Sequence, residues 1–115
     1  MAHPEWLPVR ARSLVNDPDN QVVFSVASIW EVAIKHSLGR SDFDVPPILL
    51  RETLLENGYI ELPVMGPHAA TVGGLPPIHK DPFDRLLIAQ AVVEGITLLT
   101  ADSVIARYPG PIQKI

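Results

Sequence analysis

Four acidic side chains stand out because of the elements predicted around them. Glu31 and Asp102 come just beyond predicted strands, and Asp81 and Asp84 open a predicted helix. Carboxylates from distant parts of a chain converge when their strands run parallel, because the carboxyl ends of parallel strands share one edge of the sheet. Converging carboxylates repel each other unless a cation joins them, and hard oxygen ligands favour Mg²⁺ or Mn²⁺. We therefore expect metal-assisted phosphodiester cleavage, in which the cation orients water and stabilises charge.

The same four positions also suit a structural role at helix starts. Residues Ser28 to Glu31 fit the S-x-x-E capping box. Asp81 is placed as an N-cap, Asp84 lies in the first turn of the same helix, and Asp102 is placed to cap the last helix. For any one acid, the pattern alone favours capping over catalysis. Both interpretations predict acids at helix starts, so both remain open.

Other polar and aromatic residues give weaker indications. We interpret His79 as a solvated loop residue, because no second histidine stands at metal-pair spacing. Trp30 is favoured as a core anchor over a platform for base stacking. Arg85 and Lys35 lie near the acids and are placed to meet phosphate, although basic residues on helices are usually only solvated.

The elements that must position these residues alternate along the chain. Capping residues, glycine stops and hydrophobic spacing predict the helices, and β-branched apolar runs predict the strands. In order, we predict a helix over 8–15, a turn at 17–20, a strand over 21–26, a helix from Ser28 to Gly39, a loop, a helix from Pro46 to Leu55, a strand over Tyr59–Leu62, a helix over 83–93 that Gly95 ends, a strand over Ile96–Leu99 and a short helix from Ser103 to Tyr108.

This alternation predicts the fold class. Helices between buried strands imply parallel pairing with right-handed crossovers, hence an α/β fold built as a three-layer α/β/α sandwich with a mostly parallel sheet. With 115 residues, of which 47% are hydrophobic, the chain suits one domain over residues 1–115. We expect a single core.

Composition excludes several classes of function. The absence of cysteine excludes disulfides, thiolate zinc sites and cysteine nucleophiles. No signal peptide and no apolar run of about 20 residues is present, so we expect a soluble, cytoplasmic protein. The net charge of -4 comes without a basic stripe. Any contact with RNA is therefore expected to be local or mediated by metal.

Three segments together resemble one protein family. Residues 25–35 (SVASIWEVAIK), residues 79–91 (HKDPFDRLLIAQA) and residues 98–102 (LLTAD) closely resemble, in order and spacing, the PIN-domain toxins of the VapC family. The likeness runs from about Pro4 to near Ile112. An isolated S-x-x-E or D-P-x-D would mean little, whereas the joint match is specific.

The resemblance implies a function and a set of site residues. Glu31, Asp84 and Asp102 correspond to acidic residues of the family's nuclease centre, where they act as catalytic residues and metal ligands. Asp81 corresponds to an accessory acid at the rim, and Thr100 to a small hydroxyl residue that orients a carboxylate or water. Family members are endoribonucleases that use Mg²⁺ or Mn²⁺, commonly form homodimers, and are held inactive by a cognate antitoxin protein.

The sequence also departs from the family pattern. Members normally open with an apolar strand that ends in an aspartate, and no such stretch precedes Trp6. We therefore expect a domain that is N-terminally truncated relative to the family and lacks the first catalytic aspartate. That strand would lie in mid-sheet, so its loss should leave backbone groups unpaired on two neighbours. A late start codon, a degenerate gene product and a gap filled by another chain are the open explanations.

Two further readings remain beside the nuclease. The first is a catalytically impaired PIN-like binding module that retains the antitoxin-binding or dimerisation surfaces, and the missing aspartate supports it. The second is a small α/β phosphatase or nucleotide-binding domain. The absence of a glycine-rich phosphate loop counts against the latter, because Gly73-Gly74 lacks the flanking pattern of such a loop.

Overall fold

A computed structural model of the chain describes residues 9–39 and 46–115, and side chains from residue 13 onward. Two predictions concern residues outside these ranges. They are the missing first strand before Trp6 and the loop after Gly39. Within the described residues, no helix is long and apolar enough to cross a membrane. The elements in order are α1 Val9–Asn16, β1 Val23–Ser25, α2 Val26–Ser37, α3 Pro47–Glu56, β2 Ile60–Leu62, α4 Gly66–Val72, α5 Pro82–Glu94, β3 Leu98–Thr100, a 3₁₀ helix Ile105–Arg107 and β4 Ile112–Lys114.

The chain divides into two compact units, and the first spans Met1–Pro63. In it, β1 pairs in parallel with β2, and the register sets Val23 opposite Ile60. The guanidinium of Arg51 on α3 makes a two-pronged ion pair with the carboxylate of Glu61 on β2, in which Nη2 lies 3.0 Å from Oε1. Helix α3, the second of the two helices between these strands, is thereby tied to β2.

The second unit spans Val64–Ile115 and has its own parallel pair. Strand β3 pairs with β4, with Leu98 opposite Ile112. Its core consists of Ile88, Ile105 and Tyr108, each at most 5% exposed. The partly buried residues packed against this core are Leu75, Ile78, Leu98 and Ile112. In the described part of the chain each sheet has two strands, so the parallel pairing that the sequence predicts is present in two small sheets.

Helix α2 begins earlier than the sequence predicts. Ser25 is its N-cap, and the Ser25 Oγ accepts a hydrogen bond of 3.0 Å from the backbone N–H of Ala27. Ser28 and Glu31 therefore lie inside the helix, and the capping box predicted there is wrong. The strand gives way to the helix without a connecting loop, which shortens β1 to three residues.

Two elements were missed and one burial prediction is wrong. Helix α4 and strand β4 have no counterpart in the sequence-based prediction. Trp30 is 59% exposed on α2, so it is not the core anchor that its size suggested. Val26 and Ile34 on the same helix and its C-cap residue Leu38 are also exposed, and the four residues follow one another at intervals of four.

Helix α5 starts and stops as predicted. The carboxylate of Asp81 accepts from the backbone N–H of Phe83 at 2.9 Å and of Asp84 at 3.4 Å, as an N-cap does. At the other end Gly95 has φ +67°, a left-handed conformation that favours glycine. This helix carries Asp84 and Arg85 in its first turn.

The segment between α4 and α5 is held by the side chain of Arg85. Its Nη1 donates to the carbonyl of Pro76 at 3.0 Å, and its Nη2 donates to the carbonyl of Val72 at 3.0 Å. Further bonds reach the carbonyls of Leu75 and His79. The guanidinium of Arg85 thus donates to backbone carbonyls, and Arg85 is not a merely solvated basic residue on a helix. A planar fork of donors suits this task, because it serves several acceptors at fixed angles.

We expect Arg85→Lys to destabilise the fold. An ammonium group cannot serve so many separated carbonyls, and hydrogen bonds to charged groups are worth about 1.5–3 kcal/mol, so the free energy of unfolding should fall by about 2–3 kcal/mol. Urea denaturation followed by circular dichroism measures this. Arg107→Lys, at an exposed position of the 3₁₀ helix, is the control and should stay within about 0.5 kcal/mol. Equal effects of the two substitutions would contradict the clamping role.

Candidate metal centre

Three side chains of the second unit converge at one point. The Nε2 of His79 lies 3.1 Å from Oδ2 of Asp84 and 3.6 Å from Oδ2 of Asp102. One ligand atom from each of the three residues lies within 4.8 Å of the others. Of the four acids singled out from the sequence, Asp84 and Asp102 thus meet directly. The imidazole of His79 faces both of them.

A hydrogen bond to the His79 ring fixes its tautomer. The backbone N–H of Asp81 donates to Nδ1 of His79 at 3.0 Å, so Nδ1 carries no proton. A neutral imidazole with an accepting Nδ1 has its hydrogen on Nε2. Nε2 is therefore a donor, and it faces the two carboxylates. With its side chain 20% exposed, His79 is not the solvated loop residue that the sequence suggested.

The backbone of His79 is held as firmly as its ring. Its N–H donates to the hydroxyl of Tyr108 at 2.6 Å, and its carbonyl accepts from Nη1 of Arg85 at 3.3 Å. Tyr108 is 4% exposed and belongs to the core of this unit. The position of His79 thus depends on a core tyrosine 29 residues further along the chain.

Asp102 divides its two carboxylate oxygens between two tasks. Oδ1 accepts from the backbone N–H of Val104 at 2.7 Å and of Ile105 at 3.4 Å, as the predicted cap does. Oδ2 faces His79. The backbone N–H of Val104, supported by that of Ile105, holds the pKa of Asp102 below its ordinary value despite partial desolvation. Asp102 is therefore a carboxylate at neutral pH, the form that a cation needs.

Thr100 and Asp81 support the centre through the backbone. Thr100 is buried at the end of β3, and its Oγ1 accepts from the backbone N–H of Asp102 at 3.0 Å. Asp81 caps α5 through its side chain and orients the ring of His79 through its main chain. Both residues position the three converging side chains.

Glu31 belongs to the other unit. It lies on α2 and makes an i, i+4 salt bridge of 3.4 Å with Lys35. Lys35 thus pairs with one of the predicted acids, whereas the sequence suggested a contact with phosphate. The role of Glu31 as a metal ligand stays a prediction.

Comparison with known families decides the identity of the domain. A family model described as the PIN domain matches residues 4–111. The chain belongs to the PIN-domain family. A search of curated proteins gives no match. PIN domains are generally nucleases and typically depend on divalent metal ions, and the α/β fold class with parallel strands that the sequence predicts is confirmed.

The donor set of this PIN domain fits a small hard cation. Asp84 and Asp102 offer oxygen ligands, which Mg²⁺ and Mn²⁺ prefer. The side chain of Asp102 is 41% exposed and that of Asp84 22%, so solvent reaches the carboxylates. Mg²⁺ usually keeps several waters and takes one or two protein carboxylates. Two partly exposed carboxylates meet that requirement.

Sequence reasoning missed His79 as a member of this cluster. The search for a second histidine at metal-pair spacing tests for ligands, whereas this ring is a hydrogen-bond donor. A usable signal was present, since His79 stands two residues before the N-cap Asp81. At that spacing a backbone N–H of the helix start reaches Nδ1, and the ring turns toward the first helical turn, where Asp84 lies.

Substitutions of Asp81 should separate capping from chemistry. We expect Asp81→Ala to lower the free energy of unfolding by about 1 kcal/mol, and Asp81→Asn to leave it nearly unchanged, because asparagine is as good an N-cap. If Asp81 acts through its cap and its main chain, Asp81→Asn should also keep the Mn²⁺ affinity of the parent protein. Urea denaturation and Mn²⁺ titration measure the two effects. A loss of Mn²⁺ affinity in a stable Asp81→Asn protein would make Asp81 a participant in metal binding.

Proposed function

We propose that this PIN domain is a Mg²⁺- or Mn²⁺-dependent endoribonuclease and the toxin component of a toxin-antitoxin system. The observation that carries the proposal is the meeting of Asp84 and Asp102, whose carboxylate oxygens lie within 4.8 Å of one another. The acids come from different elements, α5 and the segment after β3. Helix capping alone would not require them to face each other.

The bound cation would supply an activated water and would stabilise charge on the phosphodiester. Asp84 and Asp102 would hold it, and we propose Glu31 as a third ligand. Around them, Thr100 holds the backbone of Asp102, and Asp81 orders the first turn that carries Asp84. The side chains of Asp84 and Asp102 are 22% and 41% exposed, so water can reach both carboxylates.

The assignment to the toxin branch rests on resemblance. Residues 25–35, 79–91 and 98–102 resemble VapC toxins in order and spacing. A cognate antitoxin, a homodimer and a cytoplasmic location are therefore part of the proposal. RNA is the proposed substrate, and the net charge of -4 favours local contacts with it over a long basic track.

A specific observation also favours the second candidate, a catalytically impaired binding module. Helix α2 exposes an apolar stripe of the kind that marks protein interfaces. Its members are Val26, Trp30, Ile34 and Leu38, which are 36–61% exposed.

Cleavage of a structured RNA during titration with Mg²⁺ or Mn²⁺ tests the primary proposal. Asp84→Asn removes a charged ligand worth several kcal/mol of transition-state stabilisation, so we expect cleavage to fall by about 100-fold or more. Asp19→Asn, in the exposed turn after α1, is the matched control and should cleave like the parent protein. A folded protein that binds metal without cleaving RNA would favour the binding module.

Substitution of Glu31 tests the third proposed ligand. Glu31→Gln and Lys35→Gln both break the same exposed salt bridge, which is worth about 0.3–0.5 kcal/mol of stability. If Glu31 binds the cation, Glu31→Gln should lower Mn²⁺ affinity and cleavage, whereas Lys35→Gln should change neither. Isothermal titration with Mn²⁺ and the RNA assay measure both. Similar behaviour of the two variants would remove Glu31 from the centre.

A further inference from the structure

Building on the proposed nuclease centre, we propose that His79 is its positioning residue. The Nε2–H of His79 holds the carboxylates of Asp84 and Asp102 so that both face one divalent cation. His79 is not itself a ligand in this arrangement. The proposal rests on the hydrogen bonds of the ring, on its distances to the two carboxylates and on the fixation of its backbone.

The ring cannot offer a lone pair to a cation in the observed geometry. Its Nδ1 is occupied by the backbone N–H of Asp81 at 3.0 Å. The hydrogen of the neutral ring is therefore on Nε2, and a nitrogen that carries a hydrogen does not coordinate a metal. Coordination through Nε2 would require the hydrogen to move to Nδ1, where it would clash with the Asp81 N–H. The helix start thus selects a donor at Nε2.

The Nε2 of His79 lies within hydrogen-bond distance of one of the two oxygens that a shared cation would use, and just beyond that distance from the other. It lies 3.1 Å from Oδ2 of Asp84, a hydrogen-bond distance, and 3.6 Å from Oδ2 of Asp102. Each carboxylate oxygen has two lone pairs, so it can accept from the imidazole and still bind a cation. The partial positive charge of the N–H also lowers the repulsion between the two carboxylates before a cation arrives. Hydrogen bonds of this kind commonly orient metal ligands.

The ring is held too firmly for this contact to be incidental. Tyr108 and Arg85 fix the N–H and the carbonyl of His79, at 2.6 and 3.3 Å. The Tyr108 hydroxyl also accepts from Nη1 of Arg85 at 3.2 Å, which joins the two supports. Backbone and ring of His79 are thus each fixed by separate donors and acceptors. Such preorganisation is what a support for metal ligands requires.

Two substitutions distinguish the role of Nδ1 from the role of Nε2. In His79→Asn, the side-chain oxygen can replace Nδ1 as acceptor for the Asp81 N–H, but nothing reaches the carboxylates. In His79→Gln, the longer side chain can bring an N–H donor close to the position of Nε2. Circular dichroism and thermal unfolding establish that both variants fold. The pair therefore distinguishes support of the loop from support of the carboxylates.

The decisive measurement is the affinity for Mn²⁺, followed by electron paramagnetic resonance of the free ion. We expect His79→Asn to raise the dissociation constant by about 10- to 100-fold, the usual effect of losing an outer-shell partner. His79→Gln should lie closer to the parent protein than to His79→Asn. Pulsed resonance on the Mn²⁺-bound parent should show no directly coordinated imidazole nitrogen. Nitrogen NMR of the metal-free parent should show the hydrogen of His79 on Nε2.

Several outcomes would overturn the proposal. A folded His79→Asn protein with unchanged or tighter Mn²⁺ binding would show that the ring does not support the ligands, while leaving the proposed nuclease intact. A coordinated imidazole nitrogen that is lost in His79→Asn would make His79 a ligand instead. A parent protein that binds no Mn²⁺ would overturn both the centre and this role. Absence of RNA cleavage with the expected affinities would reject the nuclease and keep the positioning role of His79.

Discussion

The hydrogen bonds from the Arg85 guanidinium to the loop before α5 are the interaction on which the second unit depends. A loop of this kind carries many backbone carbonyls, and burying them without partners would cost free energy. Arg85 donates to three of them, to the carbonyl of Val72 at the end of α4 and to the Tyr108 hydroxyl. The loop can therefore pack Leu75 and Ile78 against the core while it presents His79 to the carboxylates.

An aspartate that caps a helix with one carboxylate oxygen keeps the other oxygen available as a metal ligand. From the sequence alone the two roles were alternatives, because an acid at a helix start is already explained by the backbone N–H groups that it caps. Asp102 performs the first task with Oδ1 and directs Oδ2 into the cluster. The cap fixes the rotation of the carboxylate, so the second oxygen has a defined direction. Asp81 instead uses its side chain for the cap and its main-chain N–H for the ring of His79. Each helix-start aspartate thus caps its helix and also helps to orient the side chains of the cluster.

Local signals in the sequence predicted most of the elements and failed where partners are distant or unusual. Asp81 and Gly95 bound α5 because a cap and a left-handed glycine act within a few residues. Strand β4 was missed because a three-residue strand is defined by its partner β3 rather than by its own pattern. Helix α4 was missed because His68, instead of a serine or an aspartate, bonds the backbone N–H of Met65 at its start. Parallel topology led us to expect that acids would converge, and Asp84 and Asp102 do meet. The approach of His79 to them involves a contact with Tyr108, 29 residues away, which no local pattern in the sequence indicates.

The charge of the proposed metal centre explains why a neutral donor suits it better than a cationic side chain. Asp84 and Asp102 beside a neutral imidazole carry two negative charges, which attract a divalent cation. A lysine or arginine in the place of His79 would balance part of that charge itself and would weaken the attraction for Mg²⁺. Arg85 is close by in sequence, but its guanidinium is turned to the loop carbonyls instead. By committing its nearest arginine to the backbone and placing a neutral N–H at the carboxylates, the fold keeps the negative charge that a divalent cation requires.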